Sequence, residues 1–82
     1  MSSQAIPDSL RNILADVFDV PYGEITPELG VGSIASWDSF GHLQAILAIE
    51  AEYGIQFDPT KVPNLTTVAL LQLELESQGV TF

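Results

Sequence analysis

Cysteine is absent from this 82-residue sequence, which excludes disulfides and thiolate metal sites. A reactive thiol, if the chemistry of the protein needs one, must therefore come from an attached group. The sequence also has no Asp-x-Asp-x-Asp-Gly loop of the kind that binds calcium tightly. We therefore predict no metal site.

Basic residues are almost as scarce. Arg11 and Lys61 stand against eleven acidic residues, and the formal charge is −9. A surface of this charge repels the phosphate backbone of nucleic acids and anionic membranes. We therefore expect no nucleic-acid binding, and we expect partner proteins to present basic patches.

Long apolar runs and targeting signals are missing as well. Nowhere do 18 apolar residues follow one another, and residues 1–4 have neither the basic nor the apolar part of a secretory signal. These absences predict a cytoplasmic protein without a transmembrane segment. The length predicts a single domain over residues 1–82, too small for a deep enclosed active site.

Apolar periodicity and breakers predict an all-α fold with three longer helices and one short helix. Helix I is predicted over about residues 6–18, with Pro7 in its first turn. A short helix III is predicted over about 59–63, and helix IV over about 66–78 with Thr66 as its N-cap. No segment has the alternating pattern of a strand.

The segment between helix I and helix II contains five prolines and glycines, which predicts a long loop. Its apolar residues suggest that it is ordered and lies across the helices, because a structureless loop of this length is uncommon in a small domain. These apolar residues are Ile25, Leu29, Val31, Ile34 and Trp37.

Helix II is predicted over about residues 39–53 and ends at Gly54, a residue suited to the left-handed conformation. It is apolar on two sides, and only one of them can face the core of a small bundle. One stripe contains Ile46, Ile49 and Tyr53, and the other contains Phe40, Leu47 and Ala51.

An acidic residue and a serine begin helix II. Asp38 is a suitable N-cap, and the free N–H groups and dipole of a helix start favour a phosphate ester on Ser39. Capping alone is the commoner use of such residues, so the pair by itself is weak evidence.

The wider context of this pair resembles the acyl carrier proteins. Asp38 and Ser39 are followed by an apolar residue and by a helix that ends in residues 52–57, and the similarity extends from about residue 10 to residue 68. In that family the serine carries 4'-phosphopantetheine, transferred from coenzyme A. The resemblance implies a small four-helix acyl-carrier bundle with Ser39 as the attachment site, Asp38 as its cap, no catalytic activity of its own, and a monomeric state.

The resemblance also divides the two faces of helix II. It implies that Ile46, Ile49 and Tyr53 belong to the core. The implied partners are a phosphopantetheinyl transferase and acyl-loading and acyl-transferring enzymes with basic patches. The implied partner surface consists of Phe40, Leu43, Leu47 and Glu50.

Three features depart from the best-known fatty-acid carriers. Trp37 precedes Asp38, Phe40 replaces a common leucine, and helix II has only Glu50 and Glu52 as acidic residues. They favour a specialised lipid or polyketide-type pathway. An aminoacyl carrier, for example a D-alanyl carrier, is the alternative within the class.

Two hypotheses from other classes compete with a carrier. In the first, the protein is an unmodified acidic interaction module that binds partners through the second apolar face of helix II. In the second, Ser39 and His42 form a nucleophilic dyad, since residues three apart on a helix are neighbours. No third residue to orient the imidazole is evident, so we expect His42 to pack beside the loop instead.

Overall fold

The computed structural model describes residues 6–82, and within that range the chain forms three α-helices and no strand. The helices are α1 (Asp8–Phe18), α2 (Ser39–Tyr53) and α3 (Val68–Ser77). Single 3-10 turns cover Tyr22–Glu24 and Val62–Asn64. The all-α class is confirmed.

The short helix predicted over about 59–63 is a single 3-10 turn, Val62–Asn64, which begins three residues later. Proline has no N–H to donate, so Pro59 and Pro63 prevent a regular helical ladder there. Asp58 begins the segment as a turn residue, because the Thr60 N–H and hydroxyl both donate to its Oδ1, at 2.9 and 2.8 Å. These hydrogen bonds lower the pKa of the Asp58 carboxyl below its ordinary value.

α1 begins at Asp8, two residues later than predicted, because Pro7 is extended with ψ 140° and serves as the N-cap. Its buried stripe consists of Leu10, Leu14 and Phe18, spaced by four as expected for one helix face. The helix ends at Phe18, and Asp19 follows it in the left-handed region with φ 55°.

α2 begins at Ser39 and ends at Tyr53, and Gly54 follows it in the left-handed region with φ 66°. The assignment of Ile46, Ile49 and Tyr53 to the core side is confirmed. Ile46 and Ile49 are buried, and Tyr53 packs against the core as a half-buried residue. On the other side Phe40 and Leu47 are 68% and 56% exposed.

α3 begins at Val68, two residues after the predicted start, with Thr67 and not Thr66 as its N-cap. The Thr67 Oγ1 accepts a hydrogen bond from Leu70 N at 3.2 Å. Thr66 instead holds the long connection, because its carbonyl accepts from Val31 N at 2.9 Å. The neighbouring residue Gly30 passes so close to Thr66 that a Cβ there would overlap the Thr66 carbonyl oxygen.

The connection between α1 and α2 contributes to the core. Ile25 and Trp37 are fully buried, and Leu29 and Ile34 are half-buried. Val31 differs from the other apolar residues of the connection, because it is 44% exposed. Its backbone is committed to the Thr66 contact, and its side chain remains outside.

The core is continuous from α1 through the connection to α2 and α3. No helix within residues 6–82 is long and apolar enough to span a membrane. The buried apolar residues are Ile6, Leu10, Leu14, Phe18, Ile25, Trp37, Ala45, Ile46, Ile49, Phe57, Leu65, Val68, Leu71 and Leu75.

Candidate functional site

The start of α2 presents an exposed serine on a fixed backbone. Ser39 is the first residue of the helix, and its side chain is exposed. Asp38 caps the helix, because its Oδ1 accepts from Gly41 N at 2.8 Å and its carbonyl accepts from His42 N at 2.8 Å. The predicted N-cap is therefore confirmed, and Ser39 lies in the capped first turn of α2.

A close backbone contact fixes the approach to this turn. A Cβ on Gly41 would overlap the carbonyl oxygen of Ser36, so only glycine lets the connection lie directly against α2. The Ser36 hydroxyl in turn donates to the Phe18 carbonyl at 2.9 Å, at the end of α1. Three segments thus meet immediately before Ser39.

This contact predicts a large effect for a small substitution. Gly41→Ala should lower the free energy of unfolding by about 1 to 3 kcal/mol, because the added methyl group forces Ser36 away from α2. Gly23→Ala is the matched control, since a Cβ there meets nothing within 4 Å and should change stability by no more than about 0.5 kcal/mol. Urea unfolding of both variants measures the difference. Equal free energies of unfolding for Gly41→Ala and Gly23→Ala would contradict the close contact between Gly41 and Ser36.

Trp37 and His42 form a buried polar pair beneath this turn. Trp37 is fully buried and stacks on Phe18 with ring centroids 4.5 Å apart. Its Nε1–H donates to His42 Nδ1 at 3.0 Å. Since Nδ1 accepts, the proton of the neutral imidazole lies on Nε2, which donates to the Val62 carbonyl at 2.9 Å. Both imidazole nitrogens are therefore engaged.

These contacts contradict the dyad hypothesis. His42 is only 7% exposed and faces Trp37 and Val62, whereas Ser39 is exposed. A general base needs a free nitrogen within hydrogen-bond reach of the hydroxyl, and neither nitrogen of His42 is free. The expectation that His42 packs beside the connection is confirmed.

An apolar groove runs along α2 from one turn beyond Ser39. Leu43, four residues after Ser39, lies at one end of its lining and is 51% exposed. The groove has a volume of about 320 Å³. Its other lining residues are Ile46, Leu47, Glu50, Phe57, Pro59 and Val62.

Glu50 has an internal role that the sequence did not reveal. It is half-buried, and its Oε2 accepts a hydrogen bond from Phe57 N at 2.8 Å. The carboxylate therefore holds the chain after α2 against the helix and lines the groove. Only a seven-residue spacing across a glycine turn connects the two residues, and no local pattern predicts such a bond.

The charged residues of the chain are overwhelmingly acidic. Of the two basic residues, Lys61 forms an ion pair with Glu74 at 3.7 Å. Arg11 lies over the Tyr22 ring, 5.0 Å from its centroid. Within residues 6–82 no group of three or more His, Asp or Glu residues could hold a metal ion.

Sequence comparison identifies similar proteins over most of the chain. No family model matches it. It is 27% identical over 77 residues to a protein of Ralstonia nicotianae named acyl carrier protein 3, covering 94% of this chain and 88% of the relative. It is 30% identical over 66 residues to a Picosynechococcus protein named acyl carrier protein, covering 80% of this chain and 82% of the relative.

Proposed function

Because this chain belongs to the acyl carrier protein family, we propose that it holds acyl groups as thioesters on a 4'-phosphopantetheine arm attached to Ser39. The exposed position of Ser39 at the capped start of α2 carries this proposal. The protein itself acts as a substrate of partner enzymes and catalyses no step.

The start of α2 suits the phosphodiester that links such an arm. The first N–H groups of a helix and the positive end of its dipole favour an anionic group at this position. The arm ends in a thiol, which this cysteine-free chain cannot supply itself. As a flexible tether, it also keeps the acyl group at a high effective concentration beside each partner.

The other serines within residues 6–82 lie in different environments. Ser9 is hydrogen-bonded to the Tyr53 hydroxyl at 2.6 Å, and Ser33 accepts from Gly30 N at 3.0 Å. Ser36 donates to the Phe18 carbonyl. Ser77 is the last residue of α3, at the negative end of that helix, where an added phosphate is disfavoured.

The groove beside α2 offers an apolar acyl chain a place to leave water. It begins one turn from Ser39, and most of its lining is apolar. Each buried methylene is stabilised by about 0.8 kcal/mol. Short apolar cargo is thereby sheltered between encounters with enzymes.

Partner enzymes meet an apolar surface in an acidic field. We define the partner surface as Phe40, Leu43, Leu47 and Glu50; its three apolar residues are 68%, 51% and 56% exposed, in that order. Aromatic residues such as Phe40 are enriched at protein interfaces. The partners are a phosphopantetheinyl transferase and acyl-loading and acyl-transferring enzymes with basic patches.

The electrostatic part of this recognition predicts a salt dependence. The association rate with the transferase should fall as ionic strength rises, because the field of a protein with charge −9 is screened over about 8 Å at physiological salt. Stopped-flow measurements over a range of salt concentrations test this. An association rate that does not change with salt would show that electrostatic steering does not contribute to recognition.

We place the carrier in a specialised lipid or polyketide-type pathway. Support comes from Trp37, Phe40 and an α2 with only two acidic residues, Glu50 and Glu52. Of these carboxylates, that of Glu50 is bound to Phe57 N. Intact mass of the protein isolated from its native cells tests the cargo. An acyl or ketide adduct supports this pathway, and an aminoacyl adduct would favour the aminoacyl alternative.

Loading from a defined acyl donor tests the carrier chemistry. Incubation with octanoyl-coenzyme A and a phosphopantetheinyl transferase should add one acylated arm. Neutral hydroxylamine should then release the octanoyl group as a hydroxamate and leave the arm with a free thiol, because it cleaves thioesters readily. Absence of any adduct would favour an unmodified interaction module instead.

A further inference from the structure

We propose that His42 is a positioning residue that fixes the turn presenting Ser39, by bridging Trp37 and the Val62 carbonyl across α2. The inference rests on the proposed arm attachment at Ser39. His42 itself touches neither the arm nor the reacting hydroxyl in this arrangement.

The bridge joins three separate parts of the chain. Trp37 belongs to the connection before α2, His42 to the first turns of α2, and Val62 to the 3-10 turn after it. The imidazole accepts from the indole at 3.0 Å and donates to the carbonyl at 2.9 Å. The His42 side chain therefore sets the distance between the connection and Val62, which lines the groove.

Because Trp37 and His42 are buried, the hydrogen bond between them can fix the orientation of the indole. Trp37 is 0% and His42 7% exposed. An indole N–H without a partner in such a site is strongly disfavoured, so the indole is held in the orientation that meets Nδ1. The indole stacks on Phe18 with ring centroids 4.5 Å apart, and His42 lies at the indole edge that carries Nε1–H.

The orientation of the indole is transmitted to Ser39 through the backbone. Trp37 N donates to the Ile34 carbonyl at 3.1 Å, and the Trp37 carbonyl accepts from Gly32 N at 2.9 Å. Trp37 thereby closes the turn whose next residue is the cap, Asp38. Loss of the His42 bridge frees the indole and lets this turn, and with it Asp38 and Ser39, move relative to the rest of α2.

Substitutions at His42 separate positioning from simple stability. His42→Leu removes both hydrogen bonds, whereas His42→Gln retains an acceptor and a donor. At a temperature where circular dichroism shows every variant folded, His42→Leu should lower kcat/KM of the transferase about tenfold. His42→Gln should retain most of the wild-type kcat/KM.

Leu10→Ala is the control for stability alone. Leu10 is a buried residue beside Ser9, and Ser9 contacts Tyr53 at the end of α2 opposite to Ser39. This variant should be destabilised while its kcat/KM stays at the wild-type value. An equal loss of kcat/KM in Leu10→Ala, or no loss in folded His42→Leu, would overturn the positioning role.

Trp37 provides a readout independent of the transferase, since it is the only tryptophan. Its indole Nε1–H proton resonance should move upfield in His42→Leu and stay near the wild-type position in His42→Gln. In a double-mutant cycle, Trp37→Phe should reduce kcat/KM by much less in the His42→Leu background than in wild type, because both changes remove the same bond. Additive losses would contradict the bridge. An unmodified wild-type protein would instead overturn the attachment at Ser39, whatever the indole resonance shows.

Discussion

Ser39→Ala is expected to abolish acyl loading completely while changing the free energy of unfolding by no more than about 1 kcal/mol. The hydroxyl is the only group that changes, and the cap of α2 does not use it. Asp38 Oδ1 still accepts from Gly41 N, and alanine is favourable within a helix. The measurements are loading with acyl-coenzyme A and the transferase, and urea unfolding.

Ser36→Ala is the matched control for this prediction. Ser36 lies three residues before Ser39, but its hydroxyl donates to the Phe18 carbonyl. This variant should lose some stability, about 1 kcal/mol for the hydrogen bond, and should still accept the arm. If Ser39→Ala could still be loaded, Ser39 would be excluded as the attachment site.

Ile49→Ala and Leu47→Ala should have opposite effects on stability and recognition. Ile49 is fully buried, so its truncation should cost about 2 to 5 kcal/mol of unfolding free energy. Leu47 is 56% exposed, so its truncation should cost no more than about 0.5 kcal/mol. Leu47→Ala should instead slow the partner enzymes, because it removes part of the partner surface.

Thermal and urea unfolding, paired with kcat/KM of the transferase, measure both effects. A Leu47→Ala protein as unstable as Ile49→Ala would show that α2 packs with its other face. A stable Leu47→Ala protein with unchanged kcat/KM would instead remove Leu47 from the partner surface.

Local chemistry explains why α2 could be predicted from the sequence. Asp38 satisfies a free N–H at the helix start, and Gly54 adopts the left-handed conformation that ends the helix. The apolar pattern of α2 predicts two apolar faces but not which of them is buried. The family resemblance was needed to assign Ile49 to the core.

Features that depend on contacts between residues distant in the sequence could not be predicted. Thr66 and Thr67 are equally good caps in isolation, and the bond from Val31 N to the Thr66 carbonyl decides between them. The bond from Phe57 N to Glu50 likewise exists only once the chain has turned back at Gly54.

The Trp37–His42 pair shows the same limit at the candidate site. The two residues are five positions apart, and Trp37 lies outside the helix, so helical spacing does not relate them. A tryptophan and a histidine near a helix start are compatible with many arrangements. The meeting of α1, the connection and the Val62 turn selects the observed one.

Mass spectrometry after incubation with coenzyme A and an active phosphopantetheinyl transferase shows whether Ser39 accepts the arm. The wild-type protein should gain the mass of a single phosphopantetheinyl group. Fragmentation should place that group on Ser39 and leave every other serine unmodified. No added mass with a transferase that modifies a reference carrier, or an arm located on another serine, would contradict the assignment of Ser39 as the carrier site.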